Sequence, residues 1–150
     1  MLKNVHPLLT PELLHVLALM GHGDDLVVCD ANFPADSVAR STVHGRAVPL
    51  AGADAPTAVG AILSVFPLDT FVETPALRMA PDDTPHDQLP PVQREVQAIV
   101  DADAGRPLPL GPVERFAFYD LARRAYAVVA TGERRFWGCF VLKKGVIPPG

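Results

Sequence analysis

The stretch Met20-Gly21-His22-Gly23-Asp24-Asp25-Leu26-Val27-Val28-Cys29-Asp30-Ala31-Asn32-Phe33-Pro34 carries a helix stop, a turn, a buried strand and a strand-end acid in fifteen residues. An apolar run with helical spacing leads into it: Leu13, Leu14, Leu17 and Met20 share a face, with Thr10 as N-cap and Pro11 in the first turn. Gly21 reads as the helix stop. Residues 26–29 form a short apolar run with two valines, the pattern of a strand buried on both faces. A histidine between two glycines therefore stands before a buried strand, and a carboxylate, Asp30, stands at its end.

Working outward, residues 43–50 read as a second, weaker strand. Residues 56–66 read as a helix with Ala58, Ile62 and Phe66 on one face. Residues 69–79 hold a strand broken at Pro75. Residues 80–91, with their prolines and aspartates, read as a loop. Residues 92–100 form an amphipathic helix, 101–112 a loop, and 112–124 a helix carrying Phe116, Tyr119 and Leu121. Residues 126–130 and 136–142 read as strands joined through Thr131-Gly132-Glu133 as a hairpin. Helices alternating with apolar strands predict a single α/β domain over 1–150, with a mixed, largely parallel sheet flanked by helices.

Composition narrows the partners. Hydrophobic content of 49% against 20% charged residues predicts an ordered globular domain. The formal net charge of −4, without a basic run, argues against nucleic acid. No apolar run approaches the roughly 20 residues of a membrane span, and the first residues lack the pattern of a signal peptide. These readings predict a cytoplasmic protein with no membrane partner. Cys29 and Cys139, far apart and outside any CxxC pair, form neither a disulfide framework nor a zinc motif.

His22 carries the most chemistry. Just past a helix C-terminus, an imidazole feels the negative end of the dipole, and free imidazole titrates near neutrality. It reads as an acid/base group or as a polar residue in a Gly-rich turn. Asp30 reads as a ligand-binding carboxylate at a strand end or as a loop cap. Asp24 and Asp25 cap the turn, and no metal-ligand spacing is present. Tyr119 and Trp137 are amphipathic aromatics, suited to the apolar face of a sugar. Lys143-Lys144 reads as a solvated end. No nucleophile elbow or activated cysteine points to covalent catalysis.

Several segments in order resemble the L-fucose mutarotase and D-ribose pyranase family. They are Pro11-Glu12-Leu13-Leu14, Met20-Gly21-His22-Gly23-Asp24, Asp30-Ala31-Asn32-Phe33-Pro34, Pro67-Leu68-Asp69-Thr70-Phe71-Val72-Glu73-Thr74-Pro75, Glu114-Arg115-Phe116-Ala117-Phe118-Tyr119, Ala130-Thr131-Gly132-Glu133 and Leu142-Lys143-Lys144-Gly145-Val146. The 67–75 segment is similar to the fucose branch. The resemblance implies an α/β isomerase that interconverts monosaccharide anomers or ring forms without cofactor or metal. It implies a ring-like homo-oligomer, often a decamer, with sites between subunits. His22 falls on the family's general acid, Asp30 on its sugar-binding aspartate and Arg115 on its binding arginine. Trp137-Gly138-Cys139 stands where the family has a Tyr-Gly-Asn or Tyr-Ala-Asn triplet. Tryptophan there keeps an aromatic face without a hydroxyl, and cysteine removes an amide.

Mutarotation needs two proton movements: the anomeric hydroxyl loses one and the ring oxygen gains one. General acid–base catalysis supplies roughly 10²–10⁴-fold. The expectation is that protonated His22 donates to the ring oxygen while Asp30, helped by Glu73, holds the sugar, by resemblance L-fucose or a relative. The alternative is a sugar-binding or regulatory protein that uses the same pocket without turnover.

Overall fold

β1 (Asp25–Cys29) lies in the interior of the sheet, and both of its faces are apolar. Leu26 and Val28 point into one core and Val27 and Cys29 into another, all four fully buried. The computed structural model describes residues 1–150. The remaining strands are β2 (Ala47–Leu50), β3 (Ala76–Met79), β4 (Gly111–Val113), β5 (Ala127–Thr131) and β6 (Phe140–Lys143), in the order β2-β5-β1-β6-β3-β4. β6 pairs antiparallel with β1 and β3, and the other three pairings are parallel, so five strands end at one edge of the sheet and β6 begins there.

Helices cover both faces, giving a three-layer α/β fold. α1 (Pro11–Leu19), α3 (Ala55–Leu63) and α4 (Pro91–Ala104) pack on the Leu26/Val28 side. α2 (Ala35–Ala39) and α5 (Arg115–Arg123) pack on the Val27/Cys29 side. The Thr10 side chain accepts from the Leu13 N–H, with Pro11 in the first turn as predicted. Asp54 caps α3 and Glu114 caps α5 in the same way.

Several expectations are corrected. β5 and β6 do not form a hairpin, because β1 lies between them and pairs with both. Residues 132–139 make a crossover, longer than the about two to five residues of a hairpin loop. The predicted 112–124 helix starts later: Gly111–Val113 is an edge strand, where Pro112 is tolerated. α4 extends to Ala104, into the expected loop, and ends at Gly105 in the left-handed region. α1 ends before Gly21, with Met20 extended at its C-cap.

Candidate functional site

The two ends of β1 carry two separate groups of side chains. At the edge where five strands end, a cavity of about 380 Å³ is lined by Asp30, Asn32, Phe33, Met79, Arg115, Tyr119, Phe136, Trp137 and Cys139. Its size lies within the range of small-ligand sites, about 300–1,000 Å³. Its position is the one open α/β sheets use for ligands.

Asp30, 6% exposed, forms the polar floor. Oδ1 accepts from the Asn32 and Phe33 N–H groups at 3.0 and 3.1 Å. Oδ2 accepts from the Gly138 N–H at 3.1 Å and from the Cys139 thiol at 3.4 Å. The thiol thus stands as a donor to the acid. Burial and the neighbouring Asp30 and Cys29 push the Cys139 thiol well above its ordinary range, so it keeps its proton. Burial raises Cys29 likewise. The two buried cysteines are free.

The wall is aromatic and cationic. The Arg115 guanidinium lies 5.2 Å from the Phe116 ring centroid and 5.9 Å from that of Tyr119, and its Nη1 is 3.9 Å from Asp82 Oδ2. Phe33 stacks against Tyr119 at 5.4 Å. Gly138 fits only because it lacks a side chain: a Cβ there would lie 2.8 Å from Glu133 Cγ and 3.2 Å from Asp30 Cβ. Behind it, Arg135 holds the buried Glu133 carboxyl down to about 2 through side-chain hydrogen bonds, and reaches on to Glu95 on α4.

His22 lies at the other edge, before β1. Its Nε2 donates to Asp69 Oδ1 at 3.1 Å, which leaves Nδ1 free, and its ring packs against Phe71 at 5.3 Å between centroids. Asp69 is buried while His22 is 45% exposed. The Phe71 N–H, then His22 and Lys143, hold the Asp69 carboxyl below its ordinary range. The expected dipole contact is corrected: Lys144 Nζ, at 2.6 Å from both Leu17 O and Met20 O, takes the α1 C-terminus. Lys143 pairs with Asp25 at 2.7 Å and donates to Gly23 O, so the two lysines brace the His22 turn rather than standing in solvent. Asp24 Oδ2 accepts from the Gly21 N–H, the predicted turn cap.

The structure therefore brings Asp30, Arg115, Tyr119, Trp137, Gly138 and Cys139 together. Within one chain it does not bring His22 to them: β1 alone sets about 13 Å between its ends. Glu73 is exposed in the loop that follows Asp69, away from the cavity. Sequence reasoning did not find Asp69, whose pairing with His22 spans 47 residues. Phe33, Met79 and Phe136 as cavity wall were also missed; a strand end and its flanking loop were the available signal. No three His, Cys, Asp or Glu side chains gather as a metal cluster.

The sequence pattern of the RbsD / FucU transport protein family matches residues 3–147. The chain belongs to this family. Among RbsD / FucU relatives, the fucose mutarotase of Danio rerio is 47% identical over 150 residues, covering 99% of this chain and 95% of its own. The crystal structure of protein Atu2016 superposes with a TM-score of 0.95 at 53% identity, over 99% of this chain and 97% of its own. The fucose mutarotase of Streptococcus pneumoniae, solved in complex with L-fucose, superposes with a TM-score of 0.86 at 31% identity, over 98% and 100%. The α/β fold with a mixed sheet is thus shared across RbsD / FucU proteins.

Proposed function

We propose that this chain is a mutarotase, a carbohydrate isomerase that interconverts the anomers of L-fucose or a closely related monosaccharide by ring opening and closure. The observation that carries this reading is the cavity itself. It is sugar-sized, with an aromatic wall, an arginine and a buried acid, on a chain 47% identical to a fucose mutarotase. Trp137 and Tyr119 offer flat faces to the C–H face of a sugar, while Arg115 and Asp30 meet its hydroxyls. The thiol is the weakest of the four donors on Asp30, so an entering hydroxyl takes its place at Oδ2.

His22 acts as general acid. Asp69 engages Nε2, so Nδ1 of the imidazolium is the nitrogen that donates to the ring oxygen, and water takes the anomeric proton. After rotation about C1–C2 the steps reverse and the ring closes on the other face. No cofactor enters this scheme.

Because His22 and the cavity lie at opposite ends of β1, the complete site joins two copies. The His22 edge exposes Phe71, at 73%, and the cavity edge exposes Phe116 and Phe136, at 66% and 74%. Contacts between unlike patches are heterologous and form rings where the rotation closes, which fits a ring-like homo-oligomer with His22 of one subunit completing the cavity of the next; the decamer is what the family resemblance implies. Two buried free thiols fit a cytoplasmic location.

Exchange NMR between the anomers of L-fucose tests the activity. The reading predicts line broadening or exchange cross-peaks that rise with enzyme concentration. Saturable binding without faster exchange would leave a sugar-binding protein instead.

A further inference from the structure

Arg78, on β3, is 1% exposed and has no carboxylate partner. Its Nη1 donates to Gln93 Oε1 at 3.0 Å and its Nη2 to the His86 carbonyl at 2.8 Å, while Nε has no partner. A buried cation on these terms is costly. Gln93, on α4 and fully buried, uses Nε2 to donate to two carbonyls, Met79 O at 2.8 Å and Trp137 O at 2.9 Å. Trp137 has φ +67, a left-handed conformation rare for a bulky residue and found where the surroundings over-determine it.

We propose that Arg78 and Gln93 are positioning residues that aim Trp137 into the sugar cavity, an inference that rests on that cavity being the sugar site. The Trp137–Gly138 peptide is clamped at both ends: its carbonyl accepts from Gln93 and its N–H donates to Asp30. Clamping both ends of one peptide fixes the backbone that carries the indole. Arg78 sets the direction of the clamp. A guanidinium can only donate, so the Gln93 amide must turn its oxygen to Arg78 and both N–H bonds to the two carbonyls. Without Arg78 the Gln93 oxygen is buried without a donor, and the side chain loses the anchor that holds its Nε2 between the two carbonyls. The same amide ties Met79, another cavity residue, to the Trp137 turn.

Trp137 is the only tryptophan, so intrinsic fluorescence reports this side chain alone. Arg78→Met in the full chain removes the buried charge and leaves Gln93 Oε1 and the His86 carbonyl without their donor. The expected result is a folded protein with a cooperative melt, a changed Trp emission maximum and greater acrylamide quenching. KM for L-fucose exchange rises about tenfold and kcat stays within about twofold. Arg78→Lys keeps a donor toward Gln93 and recovers most of the affinity. Gln93→Glu keeps an acceptor toward Arg78, loses both N–H donors, and matches Arg78→Met in emission, quenching and KM. Wild-type emission, quenching and KM in folded Arg78→Met or Gln93→Glu would overturn the proposal. So would loss of affinity only in step with stability, or both variants failing to fold, since either makes the pair structural. Emission and quenching are read without sugar. Absence of turnover in the wild type would therefore sink the mutarotase reading while these two measurements still decide the positioning.

Discussion

His22 and Asp69 divide one task between an exposed ring and a buried acid. The carboxylate fixes which nitrogen points outward, and the half-exposed imidazole is left to meet a ligand. His22→Ala is expected to lower fucose anomer exchange by about 10²-fold or more, measured by exchange NMR, with the fold unchanged by circular dichroism. Asp69 acts through His22, so Asp69→Asn should reduce kcat by about tenfold and leave KM nearly untouched. An equal rise in KM would show that Asp69 serves the cavity instead. The thiols make a separate prediction: with their protons held by burial, Cys29 and Cys139 should resist iodoacetamide in the native state and react fully in denaturant. At this scale His22, Asp30 and the 115–119 and 137–139 segments were legible, because Gly-His-Gly, a strand-end acid and clustered aromatics are local patterns. Asp69, Gln93 and Arg78 were not, because their roles come from contacts made across the fold.

Among the elements, the 132–139 crossover does most to shape the cavity, and it was misread as half of a hairpin. Two apolar strands flanking turn residues look like a hairpin in sequence. β1, apolar on both faces and covered by helices on each, lies between them in the sheet and pairs with both. α2 and β4 are too short for periodicity to reveal. The crossover is held by Glu133, which accepts from Arg135 and from the Ala55 N–H at the start of α3. Its carboxyl is depressed from 4.5 to about 2, chiefly by Arg135. That stability is present above the unfolded pKa and is lost as pH falls from about 4.5 through about 2. It amounts to at most about 3 kcal/mol. Urea unfolding as a function of pH should show this loss, and Glu133→Gln should remove most of it. Gly138→Ala should destabilise by about 1–3 kcal/mol, because its methyl would meet Glu133 and Asp30 side chains that are already hydrogen-bonded.

Across the whole molecule, the decisive fact is separation. His22, the proposed acid, and the sugar-sized cavity sit at opposite ends of one strand, and exposed aromatics lie beside each. The order of motifs along the chain could not reveal this. Fifteen consecutive residues look like one site but lead from one edge of the sheet to the other. No helix is long and apolar enough to cross a membrane. In the proposed ring, the exposed rings at the two edges would cover one another. Mass measurement in solution should therefore give a closed ring assembly at concentrations where the enzyme is active. The most direct test mixes two inactive variants, His22→Ala and the double variant Arg115→Ala/Trp137→Ala. They are unfolded together, refolded into hybrid rings and assayed by fucose exchange NMR. Shared sites predict that the hybrids regain exchange that neither parent shows. Hybrid rings confirmed by mass yet as silent as their parents would contradict the account.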